Sequence, residues 1–464
     1  MRNLYNKIYE AINTGIQKAL VLDDEEDISI IYQHKKISND FNIDKLLQKR
    51  QDEYKELIKN KDFQGCLNLY NSEYLHFEKR SIGYKVISWE HLKNLVTFFN
   101  DNVWNGFDLN WIDVSKITDM TSLFSNLAQF NCNISEWDVS NVKDMKCMFQ
   151  NCYWFNQDLS TWDVSNVKDM KCMFYECIQF NSDLSQWNVS NVTNMNHIFY
   201  KCKRFNSDLS QWDVSKVENM SFMFYECIQF NSDLSQWNVS NVANMNSIFA
   251  ECMNFNSDLS KWNVSKVENM SHLFYNCKKF DANLDGWNVS NVESMLYMFG
   301  YCRKFNSDLS KWDVSKVENM SFMFYECDIF NSDLNKWNVS KVKDMKCMFY
   351  NCYQFNSNLS KWKVFNVEDM KFMFFECKKF NSDLSKWKVF NVEDMYGMFS
   401  GCESFTSDLS KWVVSKVNDM SIMFYNCKNF NSNLSKWDVA KVKNYYNIFG
   451  GCPIKKEYKP KFKN

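Results

Sequence analysis

Thirteen of the 18 cysteines share one spacing, from Cys152 and Cys177 through Cys427 to Cys452, each 25 residues after the last. So many thiols could bind a soft metal, close disulfides or fill a core. Cys147/Cys152, Cys172/Cys177 and Cys347/Cys352 lie five apart, but no histidine follows in a zinc-finger arrangement, so the spacing does not favour zinc. Neighbouring coils about 4.8 Å apart would accept a disulfide. A column of 13 cannot pair off completely, however, and a buried free thiol packs like a small hydrophobe. The expectation is a reduced, structural cysteine ladder.

Other columns invite other chemistry. Asp158, Asp183, Asp208, Asp233 and Asp258 suggest calcium, but Asn133, Asn283, Asn358 and Asn433 interrupt them and the glycine-rich nonapeptide of calcium-binding β-rolls is missing. Carboxylates accepting backbone N–H groups at a turn explain the column as well. Methionines from Met120 to Met420 recur along the chain instead of converging as copper ligands must, and read as core. His34, His76 and His91 are scattered. No glycine-rich phosphate loop, serine–histidine–acid arrangement or paired-carboxylate cleft stands out. The reading is a protein that is not an enzyme and needs no metal or cofactor.

The element that carries these columns is a repeat. Tryptophan recurs from Trp137 and Trp162 to Trp437, always 25 residues apart and with no insertion. A period that strict implies one small unit stacked on copies of itself, a solenoid. One coil runs from Phe155, FNQDLSTWDVSNVKDMKCMFYECIQ, with apolar residues at Phe155, Leu159, Trp162, Val164, Val167, Met170, Met173, Phe174 and Cys177. The last four fall at i, i+3, i+4 and i+7, which predicts a short helix. The Asp, Asn or Ser before each such run (Asp119, Asp144, Asp169 and on to Asn444) suits its N-cap. Trp162 and Val164 flank Asp163, as in a short strand with two inward side chains. Asn156, Asn181, Asn206 and Asn231 fall at a corner where left-handed backbone is expected, with Asp281 and Thr406 as exceptions. Both prolines, Pro453 and Pro460, lie at or beyond the last coil, where the missing N–H does no harm.

Composition narrows the function classes. The net charge is −2 and the pI about 6.3, and outward positions mix Lys216 with Glu218 and Lys266 with Glu268, so no basic stripe for nucleic acid is evident. No run has the 18 or more apolar residues of a membrane span. The N-terminus is amphipathic, turns acidic by Asp23 and lacks the apolar stretch of a secretory signal. Asn-Val-Ser triplets at Asn188, Asn238, Asn263, Asn288 and Asn338 would meet glycosylation machinery on coil after coil if the chain were secreted. An intracellular (cytoplasmic) or virion-associated location follows as the expectation.

The pattern F-N-x-D-L-S-x-W-x-V-S-N-V-x-x-M-x-x-M-F-x-x-C resembles the 25-residue repeat of BspA-type leucine-rich-repeat surface proteins, a repeat also found in mycoplasmas, amoebae and giant DNA viruses. Residues 105–454 hold fourteen copies, the first departing with Ile112 and Leu127 in the tryptophan and cysteine columns. The resemblance implies an α/β solenoid, a leucine-rich-repeat-like stack of short parallel strands and short helices, and a role in adhesion or protein interaction. Residues 1–84 read as a small helical or α+β domain, with amphipathic stretches over Leu4–Leu20 and Leu46–Ile58 and a strand at Ile28–Tyr32. Residues 85–104 read as the N-terminal cap, with Ser88 opening a helix from Trp89 to Phe99. Residues 455–464 form a basic tail, expected to be a disordered solubilising end.

One stretch breaks the outward pattern. The residue after tryptophan, usually Asp or Asn, becomes Lys363, Lys388 and Val413, and the serine two positions on becomes Phe365 and Phe390. Strand alternation would expose both phenylalanines beside the lysines, the composition of an interaction hot spot. The favoured function is a scaffold that binds a protein partner through Lys363, Phe365, Lys388 and Phe390. The alternative is a structural or surface-adhesion component, including one of a giant-virus particle.

Overall fold

The computed structural model describes residues 109–110 and 112–462, together with 31–32, 35–36, 84–85, 88–90, 92–93 and 96. The helices expected over Leu4–Leu20 and Leu46–Ile58 lie outside the described residues. Within the expected strand at Ile28–Tyr32, β1 (Ile31–Tyr32) pairs antiparallel with β2 (Lys35–Lys36). β3 (Tyr84–Lys85) pairs in parallel with β4 (Ile112–Asp113) at the start of the first coil.

From there each 25-residue coil lies against the next in constant register. Parallel bridges join the same position of successive coils, from Asp119–Asp144 to Asp419–Asn444. Around each bridge the backbone N–H groups of alternate residues reach forward to the following coil. Met145 donates to the Asp169 carbonyl at 3.1 Å, Cys147 to Lys171 at 2.8 Å, Phe149 to Met173 at 2.8 Å and Asn151 to Tyr175 at 2.7 Å. The residues between them close turns within the coil: Met148 donates to Met145, Gln150 to Cys147 and Cys152 to Phe149, at 3.0–3.2 Å.

This arrangement corrects the expected helix. Helical N–H groups all bond four residues back in their own segment, whereas here every second one belongs to the neighbouring coil. The segment is a run of overlapping turns with two left-handed residues per coil, such as Cys172 (φ 56°) and Glu176 (φ 57°). Overlapping turns bring Met170, Met173, Phe174 and Cys177 to one side just as a helix would, and all four are fully buried. Their spacing alone could not tell the two apart. The supposed N-caps are instead Asx turns, in which Asp144 Oδ1 accepts the Lys146 N–H at 2.9 Å and Asp169 Oδ1 that of Lys171 at 2.8 Å.

Two further expectations change. Trp162 and Val164 are buried and Asp163 exposed, so the alternation holds, but Trp162 N–H bonds Leu159 and Val167 N–H bonds Val164 in tight turns, not a strand ladder. The corner asparagines do not take left-handed backbone. They form a ladder in which Asn156 Oδ1 accepts the Asn181 N–H and Asn181 Oδ1 the Asn206 N–H, both at 2.7 Å. Asp281 and Thr406 donate the same bond from their N–H to Asn256 and Asn381, and Asp281 Oδ1 accepts the Asn306 N–H. The leucine-rich-repeat-like strand-plus-helix coil is therefore replaced by a coil made of turns.

The core is built from columns. Phe149 stacks on Phe174 at 5.4 Å and Phe155 on Phe180 at 5.9 Å, while Phe174 meets Phe180, at the start of the following coil, at 4.0 Å. Each tryptophan Nε1 donates to the carbonyl of the leucine-column residue in the preceding coil, Trp187 to Leu159 at 2.9 Å. Each column cysteine donates its thiol to a phenylalanine carbonyl, Cys177 to Phe149 at 3.0 Å. A buried serine column completes the coil: Ser182 Oγ takes the Leu159 N–H and Ser207 Oγ that of Leu184. Buried polar groups are thus paired coil to coil, as burial away from water requires.

The ends differ because the alternate N–H groups of the turn ladder after each bridge all point forward. The first coil turns its carbonyls outward, and the segment after Ser88 covers them. Trp89 Nε1 donates to the Thr121 carbonyl at 3.1 Å, and Lys93 Nζ to those of Ser122 and Leu123 at 2.9 and 2.5 Å. Residues 89–90, 92–93 and 96 of that segment are helical, Leu92 N–H bonds the Ser88 carbonyl, and Leu92 and Val96 are buried. At the other end the tail folds back instead of trailing in solvent. Ile454 is buried, Tyr458 accepts the Leu434 N–H at 2.8 Å, and Phe462 stacks on Tyr445 at 4.3 Å.

Left-handed backbone suits glycine and asparagine and is least suited to a β-branched residue. Ile422 (φ 48°) holds such a position, where the next coil has Asn447 (φ 51°). Ile422→Asn should raise stability by about 1 kcal/mol. The check is the urea midpoint, and a fall in it would show that packing of the isoleucine outweighs its backbone.

Candidate interaction surface

Outward side chains form columns as regular as the inward ones. In most coils the residue after tryptophan holds an Asx turn: Asp163 Oδ1 accepts the Ser165 N–H at 3.0 Å, and Asn188 Oδ1 that of Ser190 at 3.2 Å. The Asn-Val-Ser triplets are this same turn. Lys363, Lys388 and Val413 carry no such acceptor, yet the underlying turn persists, with Val367 N–H on Val364 at 3.1 Å. Serine is therefore dispensable two positions on, and phenylalanine takes its place.

The structure brings the four predicted residues onto one surface over two consecutive coils. Lys363 and Lys388 are exposed, Phe365 is half-buried and Phe390 is 40% exposed. Val413, 54% exposed, extends the patch onto a third coil. Asn391 Nδ2 bonds the Phe365 carbonyl at 2.8 Å and its Oδ1 accepts Lys416 Nζ at 2.7 Å, so the floor of the patch is tied coil to coil.

A second aromatic surface escaped the sequence reading. On the outer side of the turn ladder Tyr175, Tyr200 and Tyr225 stack at 4.5 and 4.7 Å, and Tyr325, Tyr350 and Phe375 at 4.6 Å each. Beside them runs the first left-handed column, where His197 stacks on Phe222 at 4.6 Å and Tyr297 on Phe322 at 4.2 Å. Burial pushes the Tyr200 hydroxyl up to about 12 and, with Lys171 adding to the effect, holds His197 down at about 4. This stripe is thus uncharged at neutral pH. Its signal was the recurrence of tyrosine directly after the core phenylalanine, which carries no meaning until the backbone shows that side to be half-exposed.

The carboxylate column that resembled a calcium site is engaged by the backbone: Asp158 Oδ1 accepts the Ser160 N–H at 2.9 Å, and this bond holds its carboxyl below the usual range. Among the described residues no three His, Cys, Asp or Glu side chains gather around a common point, and no helix is long and apolar enough to cross a membrane. The column cysteines from Cys152 to Cys427 are buried free thiols, with burial pushing them well above the ordinary thiol range.

Four overlapping segments, residues 93–212, 193–304, 282–380 and 352–461, match the family described as "Mycoplasma protein of unknown function, DUF285". The chain belongs to this family. The DUF285 matches begin in the segment that holds Lys93, run through every coil and reach the tail that packs on the last one. No curated protein matches the chain.

Proposed function

We propose that this DUF285 chain is a non-enzymatic repeat scaffold that binds another protein. The observation that carries the reading is the Lys363, Phe365, Lys388 and Phe390 surface, continued by Val413. It places apolar side chains in solvent between cations on an otherwise polar face. Aromatic anchors of this kind dominate binding energy when a partner desolvates them. The flanking lysines favour a partner with acidic residues around an apolar centre. The reading includes a location inside a cell or in a virion, and no nucleic-acid ligand. A second reading, a structural or surface-adhesion component including one of a giant-virus particle, is supported by the resemblance of the repeat to BspA-type surface proteins.

Phe365→Ser with Phe390→Ser restores the residue that most other coils carry there. Melting should move by no more than about 0.5 kcal/mol equivalent for surface substitutions. Recovery of partners bound to the native protein, compared side by side by quantitative mass spectrometry, should fall at least tenfold, as expected for losing about 2 kcal/mol per anchor. Unchanged recovery of every partner would overturn the assignment of this surface. A large drop in melting temperature would show instead that the rings serve the core.

A further inference from the structure

Cys147 and Cys172 stand apart from the buried cysteine ladder. They occupy the first left-handed position of adjacent coils, at φ 55° and 56°, and both are partly exposed. Side chains in this column stand one above the other, as the stacked rings of His197 and Phe222 or Tyr297 and Phe322 show further along. The two thiols are close enough to couple electrostatically. Their backbones are already tied by the Cys147 N–H on the Lys171 carbonyl at 2.8 Å. Coils about 4.8 Å apart fall inside the Cα separation of about 4.4–6.8 Å that a disulfide accepts. Nowhere else in this column do two cysteines follow one another; Cys347 sits between Phe322 and Phe372.

We propose that Cys147 and Cys172 form a redox-modifiable dithiol, closed to a disulfide by a hydroperoxide and reopened by a thiol reductant. The Cys147 thiolate attacks the terminal oxygen of the hydroperoxide. The O–O bond breaks, and the departing alkoxide takes a proton to leave as an alcohol, or as water from hydrogen peroxide. Cys147 is then a sulfenic acid. The Cys172 sulfur attacks it, the S–O bond breaks, and hydroxide leaves with the Cys172 proton as water. Two thiols lose two electrons and one peroxide gains them.

The surroundings favour this order. The adjacent Cys172 thiol and the nearby Lys146 and Lys171 ammonium groups hold the Cys147 thiol below the ordinary thiol range. The neighbouring Cys152 and Cys177 are buried, donate to the Phe124 and Phe149 carbonyls, and are held protonated by burial. Reactive thiols are the low-pKa, accessible ones and buried thiols are inert.

The test uses the full-length protein, reduced and then exposed to hydrogen peroxide. Disulfides are mapped by fragmentation, so that a link at Cys147 is separated from one at Cys152 of the same tryptic peptide. The expected product is Cys147–Cys172, reversed by dithiothreitol. Before oxidation Cys147 should alkylate at neutral pH about tenfold faster than an ordinary thiol. Cys172→Ser should abolish the link and leave a Cys147 sulfenic acid that dimedone traps. Serine already occupies this column at Ser122 and Ser247, so that variant should fold. A dominant Cys152–Cys177 disulfide, over-oxidised Cys147 without a link in the native chain, or equal alkylation of all cysteines would each overturn the proposal.

Discussion

Trp262→Ala should split the unfolding of the stack into two transitions. The indole is 3% exposed, stacks between Trp237 and Trp287 at 6.4 Å on either side, and donates to the Leu234 carbonyl at 2.9 Å. Emptying that volume removes about 3–5 kcal/mol. The Leu234 carbonyl keeps the Trp237 N–H at 3.1 Å, so losing the indole bond adds about 0.5–1.5 kcal/mol. In a stack whose coils touch only their neighbours, a defect that size in the middle uncouples the two sides. Calorimetry should show two peaks for Trp262→Ala and one shifted peak, with fraying, for Trp437→Ala in the last tryptophan-bearing coil. A single transition moved by less than about 1 kcal/mol for the central variant would mean the indole column is not part of what couples the coils.

Removing the cap should have the second largest effect. Trp89→Ala with Lys93→Ala deletes the side-chain bonds that the described residues make to the Thr121, Ser122 and Leu123 carbonyls. Bonds from a charged donor contribute about 1.5–3 kcal/mol each, so the first coils should open by local unfolding. Hydrogen exchange should quicken most at Met120, Ser122, Phe124 and Asn126, whose N–H groups bond the second coil, and should fade within a few coils. The uncovered carbonyl edge also matches the N–H edge that the last coil presents at Tyr445, Asn447 and Phe449. Head-to-tail contacts of that kind do not close on themselves and extend into fibres. Concentration-dependent association by sedimentation is therefore expected, and a monomeric variant with native exchange rates would show that the cap is ornamental.

Much of the molecule was legible in the chain because repetition removes ambiguity about register. Once Trp162 faces inward, Trp187 does too, and the buried set of Phe155, Leu159, Trp162, Val164, Val167, Met170, Met173, Phe174 and Cys177 follows for each coil. What stayed hidden was the backbone. A helix and a chain of overlapping turns put side chains on one face at the same three- and four-residue intervals. The discriminating feature is the sign of φ at Cys172, Phe222 or Tyr297, residue types that give no warning of left-handed backbone. Asn156 was legible as a corner residue but not as a ladder acceptor, and nothing in the sequence singled out Ser182. Their bonds run to the coil behind or ahead, which no reading within one repeat could reveal. The Phe365 and Phe390 surface was visible because it departs from a pattern; the tyrosine stripe, being part of the pattern, was not.

The indole column has an optical consequence. From Trp187 to Trp437 the rings are spaced 6.3–6.5 Å and lie within 3° of parallel. Chromophores that close and that aligned share excitation faster than they emit. A photon absorbed at one coil wanders along the column before it leaves, and a single quenching group placed beside one indole darkens many. The chain carries its own light guide, and an interruption anywhere in the stack is readable from its intrinsic fluorescence.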